Sequence, residues 1–143
     1  MTRALLLSIK PRHARAILEG RKTIEVRRKF PAVPSGTIVV LYSSSPEKAI
    51  LGTVRLKRTI KIDSDCVWDS HGAAIGIDES ALDDYLRGSD QSTLLEVDCP
   101  DSWDQPLPLD SLRHDLGLEP PQSFRYLKTE QVTQARQLSS QVS

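Results

Sequence analysis

Between Pro11 and Arg28 the chain changes its apolar period at a single glycine, and this constrains the fold more than any other feature. Pro11 opens a helix at a position where its missing N–H leaves no bond unmade. Ala14, Ile17 and Leu18 then fall at i, i+3 and i+4 and form one apolar face. Gly20 ends the helix, as a residue tolerant of positive φ should. From Lys22 to Arg28 the period drops to two, with Ile24 and Val26 on one side and Thr23, Glu25 and Arg27 on the other. A helix therefore turns directly into a half-buried strand whose outer row is charged.

Strand signals surround this corner. Leu5 to Ile9 reads as a buried first strand. Pro31, Pro34 and Gly36 form a loop, and the β-branched run Thr37 to Tyr42 is a central strand. Ser43, Ser44, Ser45 and Pro46 make a turn. Ala49 to Leu56 is a further strand, which Thr59 to Ile62 extends; Gly52 within it marks a bulge or a close backbone approach. Farther on, Asp65 to His71 forms a short helix, and Ser80 to Leu86 a better one, capped by Asp78 with Gly88 past its end. Thr93 to Val97 is a strand. Pro106 and Pro108 suggest an extended piece before a helical turn at Leu109 to Leu116, and Pro120 to Tyr126 reads as a connection. Thr129 to Leu138 is helix-compatible, and the Ser- and Gln-rich end frays. Short strands with a few helices imply an α+β fold, with the strands curled into a small β-barrel flanked by helices. Residues 1–128 form the domain and 129–143 a C-terminal helix and polar tail.

The length of 143 residues suits one domain. A net charge of zero hides a division: residues 1–61 carry fourteen basic and three acidic side chains, a net +11, and residues 62–143 five basic and sixteen acidic, a net −11. Such segregation either builds an anion-attracting face or cancels when the halves pair across the fold. No apolar run approaches the roughly 20 residues of a membrane helix. Ala4 to Leu7 is too short for a secretory core, so a soluble cytoplasmic protein without membrane contact is expected. Cys66 and Cys99 lack metal spacing and are expected to be reduced, buried packing residues. His13, His71 and His114 have no ligand spacing either. Asp63, Asp65 and Asp69 lack the glycine and spacing of a calcium loop. Neither a glycine-rich phosphate loop nor a nucleophile-elbow motif is present. No metal and no cofactor are expected.

The chemistry concentrates at the corner. Lys22 offers a point charge and Arg27 a planar fork, both suited to phosphate. Phosphate repels Glu25, whereas the exocyclic amine of a base can donate to it. This fits a site that grips a backbone and senses one unstacked base, as single-stranded or looped RNA presents. Glu25 could equally pair with Lys22 or Arg27 and merely order the strand. Lys10 and Arg12 flank the helix N-terminus, whose free N–H groups also suit phosphate. Arg28 and Lys29 follow the strand, and Arg55, Lys57 and Arg58 lie farther on; each could be a solvated surface charge. Ser43 and Ser44 either donate to a phosphate or sugar or simply turn the chain. Tyr42 is the first candidate for base stacking and Trp68 the second, with core packing the alternative for both. His13, beside the proposed cleft, reads as a surface histidine or as a proton-transfer group.

The segment Gly20, Lys22, Glu25, Arg27 spells Gly-x-Lys-x-x-Glu-x-Arg and follows Ser8-Ile9-Lys10-Pro11 and a helix. With Gly36 to Pro46 and Ile50 to Val54, it resembles the ASCH (activating signal cointegrator homology) family of the PUA-like superfamily, strongly over residues 5–58 and more weakly to about 127. The resemblance implies a small β-barrel with a polar cleft for RNA or a nucleotide beside the signature strand. The expected nucleotide-binding residues are Lys10, Arg12, Lys22, Thr23, Glu25, Arg27, Arg28, Tyr42, Ser43 and Ser44. Some such proteins are hydrolases: one group deacylates N4-acetylcytidine, and nuclease activity also occurs. The deacylase pattern shares Gly20 and Lys22 but has Thr in place of Glu25 and needs a later Glu, absent from His71 to Asp78 here. If the chain is an enzyme, Lys22 and Glu25 are the expected catalytic pair. A protein-interaction role for the acidic half stays open. Double-stranded DNA is the weaker partner, because no helix carries a recognition row.

Overall fold

The computed structural model describes residues 3–141. Among these lie six strands: β1 (Arg3–Ile9), β2 (Ile24–Arg27), β3 (Ile38–Ser43), β4 (Ala49–Asp63), β5 (Gln91–Pro108) and β6 (Phe124–Lys128). Five α-helices accompany them: α1 (Pro11–Leu18), α2 (Val67–His71), α3 (Glu79–Leu86), α4 (Leu109–Leu116) and α5 (Thr129–Gln141). The strands form one mixed sheet in the order β2-β5-β4-β3-β1-β6, with β1 and β3 parallel. The sheet is barrel-like without closing: β2 and β6 remain edges. The curl nevertheless brings β2 opposite β1, where Arg27 Nη2 donates to the Ser8 carbonyl at 2.9 Å.

Alternation along β1 divides the packing. Leu5, Leu7 and Ile9 join Val39, Leu41, Leu56, Leu95 and α1 on one face. Ala4 and Leu6 join Val40, Tyr42, Trp103 and Leu107 on the other, under α4 and α5. A third cluster packs Ile24 and Val26 of β2 against Val67, Ile75, Leu82 and Leu86. The α1 helix ends as expected: Gly20 adopts φ +81°, and the Arg21 and Lys22 amides both donate to the Ala16 carbonyl. That return aims the chain straight into β2.

Several expectations need correction. The charged outer row of β2 is enclosed at Glu25, only 8% exposed, and half-enclosed at Arg27, because β1 lies opposite and the loop before α3 packs alongside; Thr23 stays exposed. The strands β4 and β5 run far beyond the expected segments and pair from Ala49↔Pro108 to Asp63↔Gln91. Their pairing absorbs extra residues of β5 at Cys99–Pro100 and between Ser102 and Leu107, bulges that accommodate Pro100 and Pro106. Gly52 sits at one of these irregularities, where a Cβ would lie 2.3 Å from the Asp101 carbonyl oxygen. The connection expected at 120–126 contains the start of edge strand β6. Cys66 and Cys99 are exposed, not buried: Cys66 ends a 3-10 turn, and Cys99 holds a left-handed φ of 51° at the bulge. The helix α5 continues through Ser139 and Ser140 to Gln141 and buries Ala135 and Ser139. The rest of the expected frayed end, positions 142 and 143, lies outside the described residues.

Candidate functional site

Lys22, Glu25 and Arg27 meet at the corner where α1 passes into β2. Lys22 is 2% exposed. Its Nζ donates to the Ile75 carbonyl at 2.5 Å and lies 3.2 Å from Glu25 Oε1. The other carboxylate oxygen, Oε2, accepts from Arg27 Nε at 2.9 Å. Arg27 continues across the gap to the Ser8 carbonyl and, through a long contact of 3.4 Å, to Ser123 Oγ. The loop between α2 and α3 builds the other side of the corner: the Ala74 carbonyl accepts from the Thr23 and Ile24 amides. Gly76, at φ +73°, lies so close to the Lys22 stem that an added Cβ would meet it at 3.1 Å.

Burial holds the Lys22 ammonium below its ordinary pKa, while the charge and hydrogen bond of Glu25 oppose the shift. The carboxylate thus offsets part of the cost of burying the ammonium.

A cavity of about 430 Å³ opens above these groups. Lys10, Arg12 and His13 line it from the start of α1, and Ala81 and Tyr85 from α3. Ser8, Ser44 and Gln122 contribute from the β1 side. Burial also lowers the His13 pKa, aided by the Lys22, Arg12 and Lys10 charges and opposed by Glu25. These surroundings favour the neutral imidazole, the form able to accept a proton.

Of the residues expected in the site, Lys10, Arg12, Lys22, Glu25, Arg27 and Ser44 line this cavity. Thr23 is exposed outside it and anchors the corner through its backbone. Arg28 is exposed beside it and donates to the Tyr85 carbonyl at 2.8 Å. Two expectations fail. Tyr42 is 4% exposed in the core with Trp103 and Leu107, so its ring cannot stack on a base. Ser43 is fully buried and donates to Glu47 Oε1 at 2.8 Å. For Glu25 the geometry realises the pairing alternative, since both of its oxygens engage cations.

The charge division resolves residue by residue. Arg55 and Arg58 pair with Asp98 and Glu96 across β4 and β5. Lys10, Arg12 and Arg28 form no ion pair among the described residues. The cations around the cavity mouth thus stand unpaired, while Arg55 and Arg58 on the long ribbon are each matched by an acid. Sequence reasoning missed Tyr85, Gln122 and Ser8, and it missed the Ile75 carbonyl. Tyr85 belonged to a recognisable helix, but no spacing ties that helix to β2.

Comparison with known proteins agrees with this architecture. Residues 7–105 match the family model of the ASCH domain. A protein of Zymomonas mobilis described as an ASCH domain-containing ribonuclease is 30% identical over 140 residues, covering 96% of this chain and 93% of the relative. The crystal structure of ASCH from Zymomonas mobilis superposes with a TM-score of 0.89 at 28% identity, over 98% of both chains. Human THYN1, solved in complex with 5-methylcytosine containing DNA, shares the fold at a TM-score of 0.61 and 10% identity, over 99% of this chain and 100% of that one. The element order, the curled sheet and these matches together place the chain in the ASCH family.

Proposed function

We propose that the protein binds single-stranded or looped RNA and seats one nucleotide in the cavity between β1 and β2. The observation that carries this reading is the enclosed Lys22–Glu25–Arg27 cluster beneath a cavity whose mouth holds the unpaired cations Lys10 and Arg12. Arg27 and Lys22 are held in place before a ligand arrives, so little side-chain entropy is lost on binding. The Arg12 amide at the start of α1, where Pro11 has no N–H and the His13 amide already bonds the Lys10 carbonyl, and the exposed cations suit the flanking phosphates. The same groups fit a free nucleotide less fully, because exposed charge extends past the cavity to Arg28.

The test is fluorescence anisotropy with short RNAs across a salt series. Single-stranded RNA should bind more tightly than a DNA duplex of equal length. Arg12→Ala and Lys10→Ala should each flatten the salt dependence by roughly 0.7 in log–log slope if each meets a phosphate. Equal affinity for both nucleic acids, with unchanged slopes, would overturn the reading.

RNA cleavage is a second reading, favoured by the relative described as a ribonuclease. The cavity favours the neutral form of His13, which a general base requires. Lys22 and Arg27 carry the charge that a developing phosphorane requires. In this reading His13 takes the proton of a ribose 2′-OH, whose oxygen attacks phosphorus and displaces the 5′ oxygen; that oxygen leaves as a hydroxyl with a proton from water, and a 2′,3′-cyclic phosphate remains. An RNA with a single 2′-deoxy substitution at the cut site should resist cleavage, and His13→Ala should abolish it. Cleavage surviving in both would place the reaction elsewhere.

A further inference from the structure

We propose that Tyr85 is a stacking platform for a nucleobase at the mouth of the cavity. This inference rests on the RNA-binding reading above and names a contact that reading does not require.

Large apolar side chains are seldom left open in this molecule, and Tyr85, 38% exposed, is an exception. It lies on α3, whose Leu82 and Leu86 are buried against β2, so the ring stands on the flank of a firmly seated helix, next to its buried face. The helix start is fixed as well, by Asp78, whose carboxylate accepts from the Ala81 amide at 2.8 Å. Tyr85 lines the same cavity as Lys22, Glu25 and Arg27. The Arg28 guanidinium carbon lies 5.3 Å from the ring centroid, and Arg28 Nε donates to the Tyr85 carbonyl, so the ring is braced from the β2 side. An exposed, braced aromatic beside cations is the arrangement that single-stranded nucleic-acid sites use, because every base has a π-face. Of the two rings that the sequence offered for this purpose, Tyr42 is buried and Trp68 packs against the Ile24–Val67 cluster without lining this cavity, which leaves the role here to Tyr85.

The experiment uses the full chain and single-stranded RNA oligomers in which each position in turn carries 2-aminopurine, whose fluorescence is quenched by stacking. In the wild type at least one position should be quenched on binding. Tyr85→Ala should remove that quenching and weaken binding roughly ten-fold, and Tyr85→Phe should preserve both. The slope of affinity against salt should be the same in all three proteins, because no phosphate contact changes. Wild-type affinity in Tyr85→Ala overturns the platform and leaves the RNA-binding reading intact. A weakened Tyr85→Ala with a flatter salt slope also overturns it, by assigning the loss to a displaced Arg28. Failure of the wild type to bind any of the RNAs overturns both.

Discussion

Replacing Glu25 with glutamine keeps the shape of the corner and removes its charge. The structure then dictates the outcome. In the wild type the carboxylate stands between two cations, one of them 2% exposed. Arg27 retains the Ser8 carbonyl and lies beside the cavity, so it stays solvated after the change. Lys22 keeps only the Ile75 carbonyl and becomes an unpaired buried charge. Removing one partner of a buried pair typically destabilises by about 3–5 kcal/mol. The lower end applies here, because the amide oxygen of Gln still accepts a hydrogen bond. With unfolding entropy near 2.1 cal/mol/K per residue, about 3 kcal/mol lowers Tm by roughly 10 °C for a chain of this size. The deficit should also depend on pH. The folded-state pKa of Lys22 already lies below its ordinary value, and without Glu25 it falls further. Above that lowered pKa the folded variant sheds the proton, while the unfolded chain holds it until about 10.4. The unfolded state then binds more protons, so the variant gains stability as pH rises. Thermal melts of both proteins at pH 7 and pH 9.5 should show the gap in Tm narrowing at the higher pH. Lys22→Met added to Glu25→Gln should recover part of the loss. A gap under about 3 °C at pH 7, or one that stays constant with pH, refutes the claim that Glu25 compensates a buried charge.

Gly76→Ala should lower stability by about 1–2 kcal/mol in urea titrations, since φ is +73° and the new Cβ would press on the Lys22 stem. Asp78→Ala should remove the cap on α3, at about 1 kcal/mol, and accelerate hydrogen exchange at its first amides. By NMR titration His13 should show a midpoint below 6.5, so its protonation disfavours the fold as pH drops through the unfolded value. Lys22→Met should move that midpoint upward by removing a neighbouring positive charge.

What the sequence disclosed was local. The cap and boundaries of α3, the Pro11 start and Gly20 end of α1, and the alternation of β2 each arise within a few residues, so period and capping rules reach them. The span of β5 did not, because Pro100, Pro106 and Pro108 argue against a strand. They are tolerated because pairing with β4 slips around Cys99–Pro100 and again before Leu107, a property of two strands together. The site divides in the same way. The spacing of Lys22, Glu25 and Arg27 was visible, but their enclosure depends on β1 across the gap and on the Ile75 carbonyl, fifty-three residues from Lys22. A main-chain acceptor leaves no mark in the identity of its residue. For Tyr42 the sequence left stacking and core packing both open, and the core reading holds because α4 and α5 lie over that face of the sheet.

An unclosed sheet explains why these groups gather where they do. Had β2 paired with β6, the other edge, and closed the sheet, the two backbones would lie about 4.8 Å apart and leave no room for side chains between them. Instead β2 is only four residues long and pairs on one side, with β5. Its free edge faces β1 across the gap, and an open edge normally invites another strand. Here the gap is spanned by Arg27, whose guanidinium reaches the Ser8 carbonyl, while Glu25 holds that guanidinium from behind. A side chain of that length keeps β2 far enough from β1 for a cavity to form, and its charge discourages a second strand from docking on β2. Lysine cannot replace it, because one ammonium lacks the fork needed to hold Glu25 and Ser8 together. The charged row on β2 is therefore both the closure of the barrel and the floor of the cavity, so the groups proposed to meet a nucleotide are held by the fold itself.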